Sequence, residues 1–531
     1  MADKPHTHNL PAAYGNRNFP LIPTAAQISG RVRSAVLGPA AGTSPAPVRA
    51  ETPLTGGGFP GMSKVAGQYS GTMANWITRR LSRFSEEKER ETITDRASDL
   101  VVNDPHAASV VDSISMNVIG TGLIPQATPH QDILGWTETE MNDFQTQAEW
   151  EFSIWSREAD AGGRLPFWLM QFLTIYSTLV HGEYLRVPVV LNQPHRTYSM
   201  ALQCLHPSRL CTPRDLSGQP QVRDGIQLTP YGAAAHYFIA NPKNNFSARN
   251  ASTLSSGEYA VVPAWVGHRP GCFHGFVSKH EEQVRGTSIL AAGMKSFRDL
   301  HDYLDFEVVG AIVASSFPVF IETADPYGAA QGGQNSSGYK EISAGGVYYG
   351  KTGEKPHLLK PERPGNTFPD FVERIIRTIG ASAGMPYEVI SKDFSKTNYS
   401  SARAALLEAW RVFSFHQKWL VDMFCQQVWE MVMEEAWLRG RIRIPRGMDF
   451  YQNRQAICRA RWIPPKRGHV DPLKEMQANI KGLQEDIVTL SDVAAEMGGD
   501  WESKIRQRGR ERKLQDQSNP NIGPNMGDQN E

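Results

Sequence analysis

Four side chains between residues 268 and 280 are of types that bind metals: His268, Cys272, His274 and His280. Their spacing matches no common zinc pattern, and the segment reads as strand and turn. His181 and Glu183 are of the types used for proton transfer. No third group organises them, so a satisfied histidine at a strand entry is the expectation. The chain contains no GxxxxGK(S/T), GxSxG or HExxH. Gly56-Gly-Gly58 and Gly332-Gly333 do not join a strand to a helix and read as linkers. The remaining patterned groups are charges. Asp299, Asp302, Asp305 and Glu307 read as the solvated face of a helix. Lys392, Asp393, Lys396, Asn398 and Tyr399 read as ordinary loop polarity. Lys504, Arg506, Arg508, Arg510, Arg512 and Lys513 crowd a C-terminal helix that either meets nucleic acid or stays solvated. No catalytic set converges, so the chain reads as a non-enzyme with no metal and no cofactor.

A chain of 531 residues exceeds one ordinary core, so several domains or one elongated subunit is expected. Lys plus Arg number 55, as do Asp plus Glu. That balance argues against a dedicated duplex-DNA binder, yet allows a protein that touches DNA and lets it slide. The five cysteines form no CxxC pair and read as free thiols in a reducing cytosol. Met1–Leu10 has no apolar segment, so no secretory signal is expected. The uncharged run Val308–Ile321 contains Gly310, Ser315, Ser316 and Pro318 and falls short of the roughly 18 residues of a membrane span. A soluble protein is expected. Twelve tryptophans suit large packing interfaces, although ordinary cores use them too.

Periodicity and breakers outline the elements that would carry these groups. Residues 1–70, rich in Pro, Gly, Ala, Ser and Thr, read as a flexible arm. Trp76, Ile77, Leu81 and Phe84 recur at helical spacing. A second helix is expected over Thr94–Val118, broken or restarted at Pro105 and ended by Gly120-Thr-Gly122. Phe144–Trp155 and Phe167–Val180 are amphipathic helices. From Glu183 the period shortens, and strands are expected at 184–190, Tyr237–Ile239, Tyr259–Val262 and Cys272–Val277. Ser288 caps a helix whose Leu290, Met294, Phe297, Leu300, Leu304, Val308 and Ile312 step by three or four until Pro318. Short strands at Gly346–Tyr349 and His357–Leu359 interrupt a turn-rich stretch. A helix over Phe368–Ala381 stops at Gly384-Met-Pro386. A polar loop over 387–400 leads into a long helix from Ser401 to Trp437. Helices return over Asp471–Leu483, Ser491–Met497 and Trp501–Leu514. The fold class is α+β.

An ordered series of motifs then resembles the lambda family of phage portal proteins. Asp99–His106 with Ile119-Gly-Thr-Gly122 resembles its N-terminal signature. His181-Gly-Glu183 resembles the entry to its central β region, and Val284-Arg-Gly286 its turn into the stem. The fullest match is Phe371–Ala404. There Gly384, Tyr387, Glu388, Ser391, Asp393, Asn398, Tyr399, Ser400, Ser401, Ala402 and Arg403 stand in the family's Gly-x-x-Tyr-Glu turn, polar loop and Asn-Tyr-Ser-Ser-Ala-Arg helix opening. Trp462-Ile-Pro and Asp471–Glu475 resemble its C-terminal part.

The resemblance implies an elongated portal-type subunit. Its parts would be a flexible arm (1–70), an α+β wing (71–288), a first stem helix (289–316), a small β-containing clip (317–365) and a second stem helix (366–384). A tunnel loop (385–400), a long helix with the remaining wing (401–470), a helical crown (471–514) and a disordered tail (515–531) would follow. It implies a homo-oligomeric ring, typically a dodecamer, made in the host cytoplasm and sited at the capsid portal vertex of the virion. Double-stranded DNA would be packaged and ejected through it without sequence readout. Implied partners are further copies of the chain, the large terminase subunit, a head–tail adaptor protein, and the major capsid or scaffold protein, with no membrane. Lys392, Asp393, Lys396, Asn398 and Tyr399 would face DNA in the tunnel loop with weak backbone contacts. Asp299, Asp302 and Asp305 would line the channel, where negative charge repels phosphate. The motor ATPase must then be another protein. The alternatives are a soluble α+β hydrolase with an unrecognised site, or another structural capsid or tail protein.

Overall fold

The computed structural model describes residues 83–241, 258–315, 319–322, 347–350, 368–466 and 472–518, all within the compact unit Leu81–Glu531. The expected arm, the helical repeat before Arg83, the strand at 357–359 and the chain beyond 518 lie outside the described residues.

Helices α1 (Arg83–Asn103) and α2 (Pro105–Ile119) are parted by Asp104 alone. The Asp104 carboxylate accepts from the amides of His106 and Ala107, 2.8 Å each. Pro105 sits in the first turn, where an N–H would have no helical partner. The break expected at Pro105 is thus a capped restart, and α1 opens at Arg83 instead of Thr94. Strand β1 (Ile124–Ala127), the single turn α3 (Gln131–Leu134), α4 (Glu138–Arg157) and α5 (Phe167–His181) follow.

The β region begins with β2 (Glu183–Val190) and β3 (Met200–Leu205). It continues through β4 (Val222–Arg223), β5 (Ile226–Leu228), β6 (Ala234–Ala240) and β7 (Tyr259–Pro263). It closes with β8 (Trp265–Val266), β9 (Arg269–Pro270) and β10 (Phe273–Phe276). The antiparallel sheets run β10-β2-β3 and β4-β5-β6-β7. A small core of Leu185, Leu205, Leu210, Ile226, Tyr237, Ile239 and Cys272 joins them.

Helix α6 (Met294–Ser315) is entered through a 3-10 turn, Ile289–Gly293. Strands β11 (Val319–Glu322) and β12 (Val347–Gly350) pair in parallel, Val319 beside Val347. Then come α7 (Phe368–Ala383), α8 (Tyr387–Ser391), α9 (Tyr399–Leu420) and α10 (Gln426–Leu438). Helix α11 (Phe450–Ile457), β13 (Ala460–Ile463), α12 (Pro472–Gln484), α13 (Leu490–Glu496) and α14 (Trp501–Ser518) complete the order. Helix α14 thus passes the expected end at Leu514. The run Val308–Ile321 divides between α6 and β11, and no helix among the described residues is long and apolar enough to cross a membrane.

The main core gathers α2, α4, α5, α9 and α10. Its centre is aromatic: Phe152 lies 5.1 Å from Trp429 and 5.6 Å from Phe167, and Trp155 lies 5.2 Å from Phe167 between ring centroids. Trp155 Nε1 donates to the Met200 carbonyl at 2.9 Å, so its polar end is satisfied while its body is buried. The expected long helix carries a π turn, Val421–Cys425, between α9 and α10. The inserted residue turns Phe424 and Cys425 fully inward, and the Tyr184 hydroxyl donates to the Met423 carbonyl at 2.9 Å. Strand β1 pairs with β13, Ile124 beside Ile463, and so ties the two ends of this body together.

Candidate functional site

Two short motifs far apart in sequence meet at the root of α6. Gly182 ends α5 in the left-handed region at φ 87°. A Cβ on Gly286 would lie 1.9 Å from the Gly182 carbonyl oxygen, so only glycine allows this approach. Beside it Glu183, fully buried, accepts from Arg285 Nε at 2.7 Å and from Arg285 Nη2. It also bonds His274 Nε2 at 2.9 Å and the Gly286 amide at 3.2 Å. Arg285 donates further to the carbonyls of Pro207, Leu210 and Asp224. Arg90 of α1 grips the Asp224 carboxylate with bonds of 2.6 and 2.8 Å. Burial opposes ionisation of Glu183, but the Arg285 charge and the bonds from His274 and Arg285 outweigh it and hold the carboxyl well below its usual range. This hub fixes the turn from which α6 departs. Ser288 completes it, accepting from the Leu290 amide at 3.2 Å and donating to the Leu179 carbonyl at 3.0 Å.

His181 is not satisfied as expected. Its Nδ1 is buried without a hydrogen-bond partner among the described residues. Burial first, and His206 at 4.4 Å second, push its pKa down to about 4, so the ring is neutral near pH 7. The four suspected metal ligands do not gather. His274 bonds Glu183, His268 lies 5.8 Å from the Tyr451 ring, His280 bonds the Glu281 carbonyl, and burial pushes the Cys272 thiol up. Among the described residues no three His, Cys, Asp or Glu are placed to hold a metal.

Helices α6 and α7 form an antiparallel pair. At one end a Cβ on Gly293 would meet Ser382 Oγ at 2.6 Å; further along, Tyr303 packs on Phe368 and Phe371, at 5.7 and 5.0 Å. Asp299, Asp302 and Asp305 recur every three residues along α6. Asp299 is exposed, Asp302 pairs with Arg298 at 3.0 Å, and Asp305 pairs with His301 at 3.4 Å. The pair is followed by the connection 384–398. Part of it, expected as a polar loop, is the short helix α8. Pro386 supplies the entry φ of −70°, and Ile390 is buried at 2% exposure, so the segment is docked rather than loose. Ser109 Oγ donates to the Ile390 carbonyl at 2.7 Å.

The five loop residues divide by what they touch. Asp393 accepts from the Ser395 amide at 2.9 Å, and bonds from Ser395 hold its carboxyl below the usual range. Asn398 caps α9 by accepting from the Ser401 amide at 2.8 Å. Lys396 reaches back to Glu373 of α7 at 3.0 Å. Lys392, left-handed at φ 54°, is exposed and makes no ion pair among the described residues, and Tyr399 is 48% exposed. Phe394, 43% exposed beside them, carried no sequence signal.

The C-terminal helices dock on the body through polar contacts. Gln126 Nε2 donates to Asp500 at 2.6 Å and Arg461 pairs with Asp492 at 2.9 Å; beside them, within the body, the Ala127 amide donates to Glu149 of α4 at 2.9 Å. Burial, with Asp500 and Glu502 adding repulsion, pushes the Glu149 pKa up to about 7, against the Ala127 amide and Arg506. A carboxyl raised on folding contributes stability below its unfolded pKa and loses it as pH climbs through the folded value. Hydrogen exchange in the first turn of α14 should therefore quicken between about pH 4.5 and pH 7.5 beyond the intrinsic rate change. Glu149→Gln should abolish that excess, and an unchanged excess in the variant would contradict the assignment.

The family profile described as phage portal protein, lambda family, matches residues 69–417. The portal protein of Escherichia phage N15 is 23% identical over 446 residues, spanning 78% of this chain and 83% of that protein. Portal protein B of Escherichia phage lambda is 23% identical over 445 residues, spanning 78% and 82%. The probable portal protein of Halomonas phage phiHAP-1 is 25% identical over 443 residues, spanning 79% and 80%. Among solved structures, a chain from the neck of a native GTA particle computed with C12 symmetry aligns with 80% of this chain and 97% of its own, at 13% identity and a TM-score of 0.38. The profile spans most of the chain and takes in both the Glu183–Arg285 hub and the connection between α7 and α9: the chain belongs to the lambda family of phage portal proteins.

Proposed function

We propose that this chain is the repeating subunit of a closed ring at the capsid vertex through which double-stranded DNA is packaged and later ejected. The observation that carries the reading is the antiparallel pair α6–α7, acidic along α6 and followed by a connection that presents Lys392 and Tyr399 to solvent. In this reading α6 and α7 are the two stem helices, 317–365 the clip, 385–400 the tunnel loop, 471–514 the crown, and α1 to β10 most of the wing. Asp299, Asp302 and Asp305 line the channel, where negative charge limits sticking of phosphate. Lys392 and Lys396 touch the DNA backbone briefly and without sequence preference. The large terminase subunit engages the clip during packaging, a head–tail adaptor replaces it, and the capsid shell holds the wing. In this reading the chain does no chemistry of its own, and among the described residues no nucleophile, base and orienting group converge.

The test is an assay of purified, assembled chain for ATP and phosphodiester hydrolysis. No turnover above a contaminant control is expected. Turnover that persists through further purification and tracks the chain would overturn the conduit reading in favour of an enzyme.

A further inference from the structure

The chain as a whole is neutral, yet α14 is not. Residues 503–515 are all exposed. Lys504, Arg506, Arg508, Arg510, Arg512 and Lys513 fall in that stretch, against Glu511 alone. Arg506 pairs with Glu502 at 3.3 Å and Lys504 Nζ donates to the Ala494 carbonyl at 3.4 Å. Arg508, Arg510, Arg512 and Lys513 make no ion pair among the described residues. Ile505 and Leu514 are the apolar side chains of the stretch, 48% and 61% exposed, and they form no stripe for packing on protein or entering a membrane surface.

Helical geometry sharpens this. At roughly 100° per residue, Lys504, Arg508 and Arg512 share one flank, and Arg506, Arg510 and Lys513 share the nearly opposite one. Cations four apart repel and weaken a helix standing alone in water. Phosphates on both flanks would remove that repulsion, whereas one flat acidic surface would relieve only half of it. A helix charged on both sides therefore suits a polyanion that runs past it on either side.

We propose that α14 is a second DNA contact of the ring, separate from the connection at 385–400, in which Arg508, Arg510, Arg512 and Lys513 bind duplex backbone without sequence preference. The proposal rests on the reading of the chain as a DNA conduit.

The experiment uses rings of the full chain and a fluorescent blunt-ended duplex, with affinity followed against salt. The variant carries Arg508→Gln, Arg510→Gln, Arg512→Gln and Lys513→Gln, all at exposed positions. Neutralising phosphates releases counterions, so log affinity falls with log salt by about 0.9 per phosphate. The variant should still form rings, bind DNA at least tenfold more weakly at low salt, and show a salt slope shallower by about 3.6 for each subunit whose four cations all meet phosphates. Unchanged affinity and slope in intact variant rings would overturn the proposal and leave the conduit reading standing. Parent rings that bind no duplex would overturn it too. Polyglutamate of matched charge should compete less well than unlabelled duplex; equal or better competition would reassign α14 to an acidic protein and also overturn it. A parent chain that forms no ring would instead contradict the conduit reading itself.

Discussion

Glu183→Gln should destabilise the chain by about 3–5 kcal/mol, the range expected when one partner of a buried ion pair is removed. The reason lies in Arg285, which is 5% exposed and has Glu183 as its bidentate carboxylate. Glutamine keeps the shape and one acceptor but removes the charge, leaving the guanidinium buried with Asp224 at 3.5 Å as its remaining anionic neighbour. The loss should appear as a lower urea midpoint and as early hydrogen exchange in β2, β10 and the turn at 284–288. The Glu183→Gln/Arg285→Met pair should recover part of it, because neutralising both partners removes the guanidinium that the single variant leaves buried without its carboxylate. A loss under about 1 kcal/mol would show that water reaches the hub and that it does not anchor α6.

The second large effect separates fold from function within one segment. Ile376 is 5% exposed on the core face of α7 and Ile379 is fully buried, so Ile376→Asp forces a carboxylate into apolar surroundings. Several kcal/mol of destabilisation is expected, with loss of soluble assembled protein. Lys392→Ala/Lys396→Ala should behave in the opposite way. Lys392 makes no ion pair among the described residues, and the Lys396–Glu373 pair is solvent-screened, of a kind that adds little to stability. Rings should form normally while DNA packaging or retention changes. The pairing also qualifies the simple view of Lys396 as a waiting cation: it must leave Glu373 to meet a phosphate, and the weakness of an exposed pair is what permits that exchange. If the double variant fails to assemble, or packages and retains DNA as the parent does, the connection does not face DNA.

Much of this architecture was legible in local pattern. The apolar steps of Phe371, Val372, Ile375, Ile376 and Ile379 specify α7, and Pro105 and Ser288 mark helix starts by chemistry that acts within three residues. What escaped was of two kinds. Short elements carry too few residues for a period to show: α8 spans five residues, and Val319–Glu322, just past Pro318, spans four. Pro386 before Tyr387 was the available hint for α8. Long-range pairings leave no local trace either. Glu183 and Arg285 each stood in a recognised motif, but their bond joins positions 102 apart, and the π turn at Val421–Cys425 is completed by Tyr184 from another element. The same limit applies to the candidate site. The family resemblance singled out Lys396 and Asn398, which by residue type read as loop polarity; the Lys396 bond to Glu373 depends on how α7 and the connection pack, and the Asn398 cap was missed because the helix was expected from Ser401.

The central claim is that this chain closes into a ring around a passage wide enough for duplex DNA. Electron microscopy of the purified full-length chain, combined with its mass in solution, tests it most directly. The account predicts rings with an open centre and a mass that is a whole multiple of the 59.0 kDa chain, twelve copies being the expected number for this family. A stable monomer, or a compact oligomer with no central opening, would contradict it.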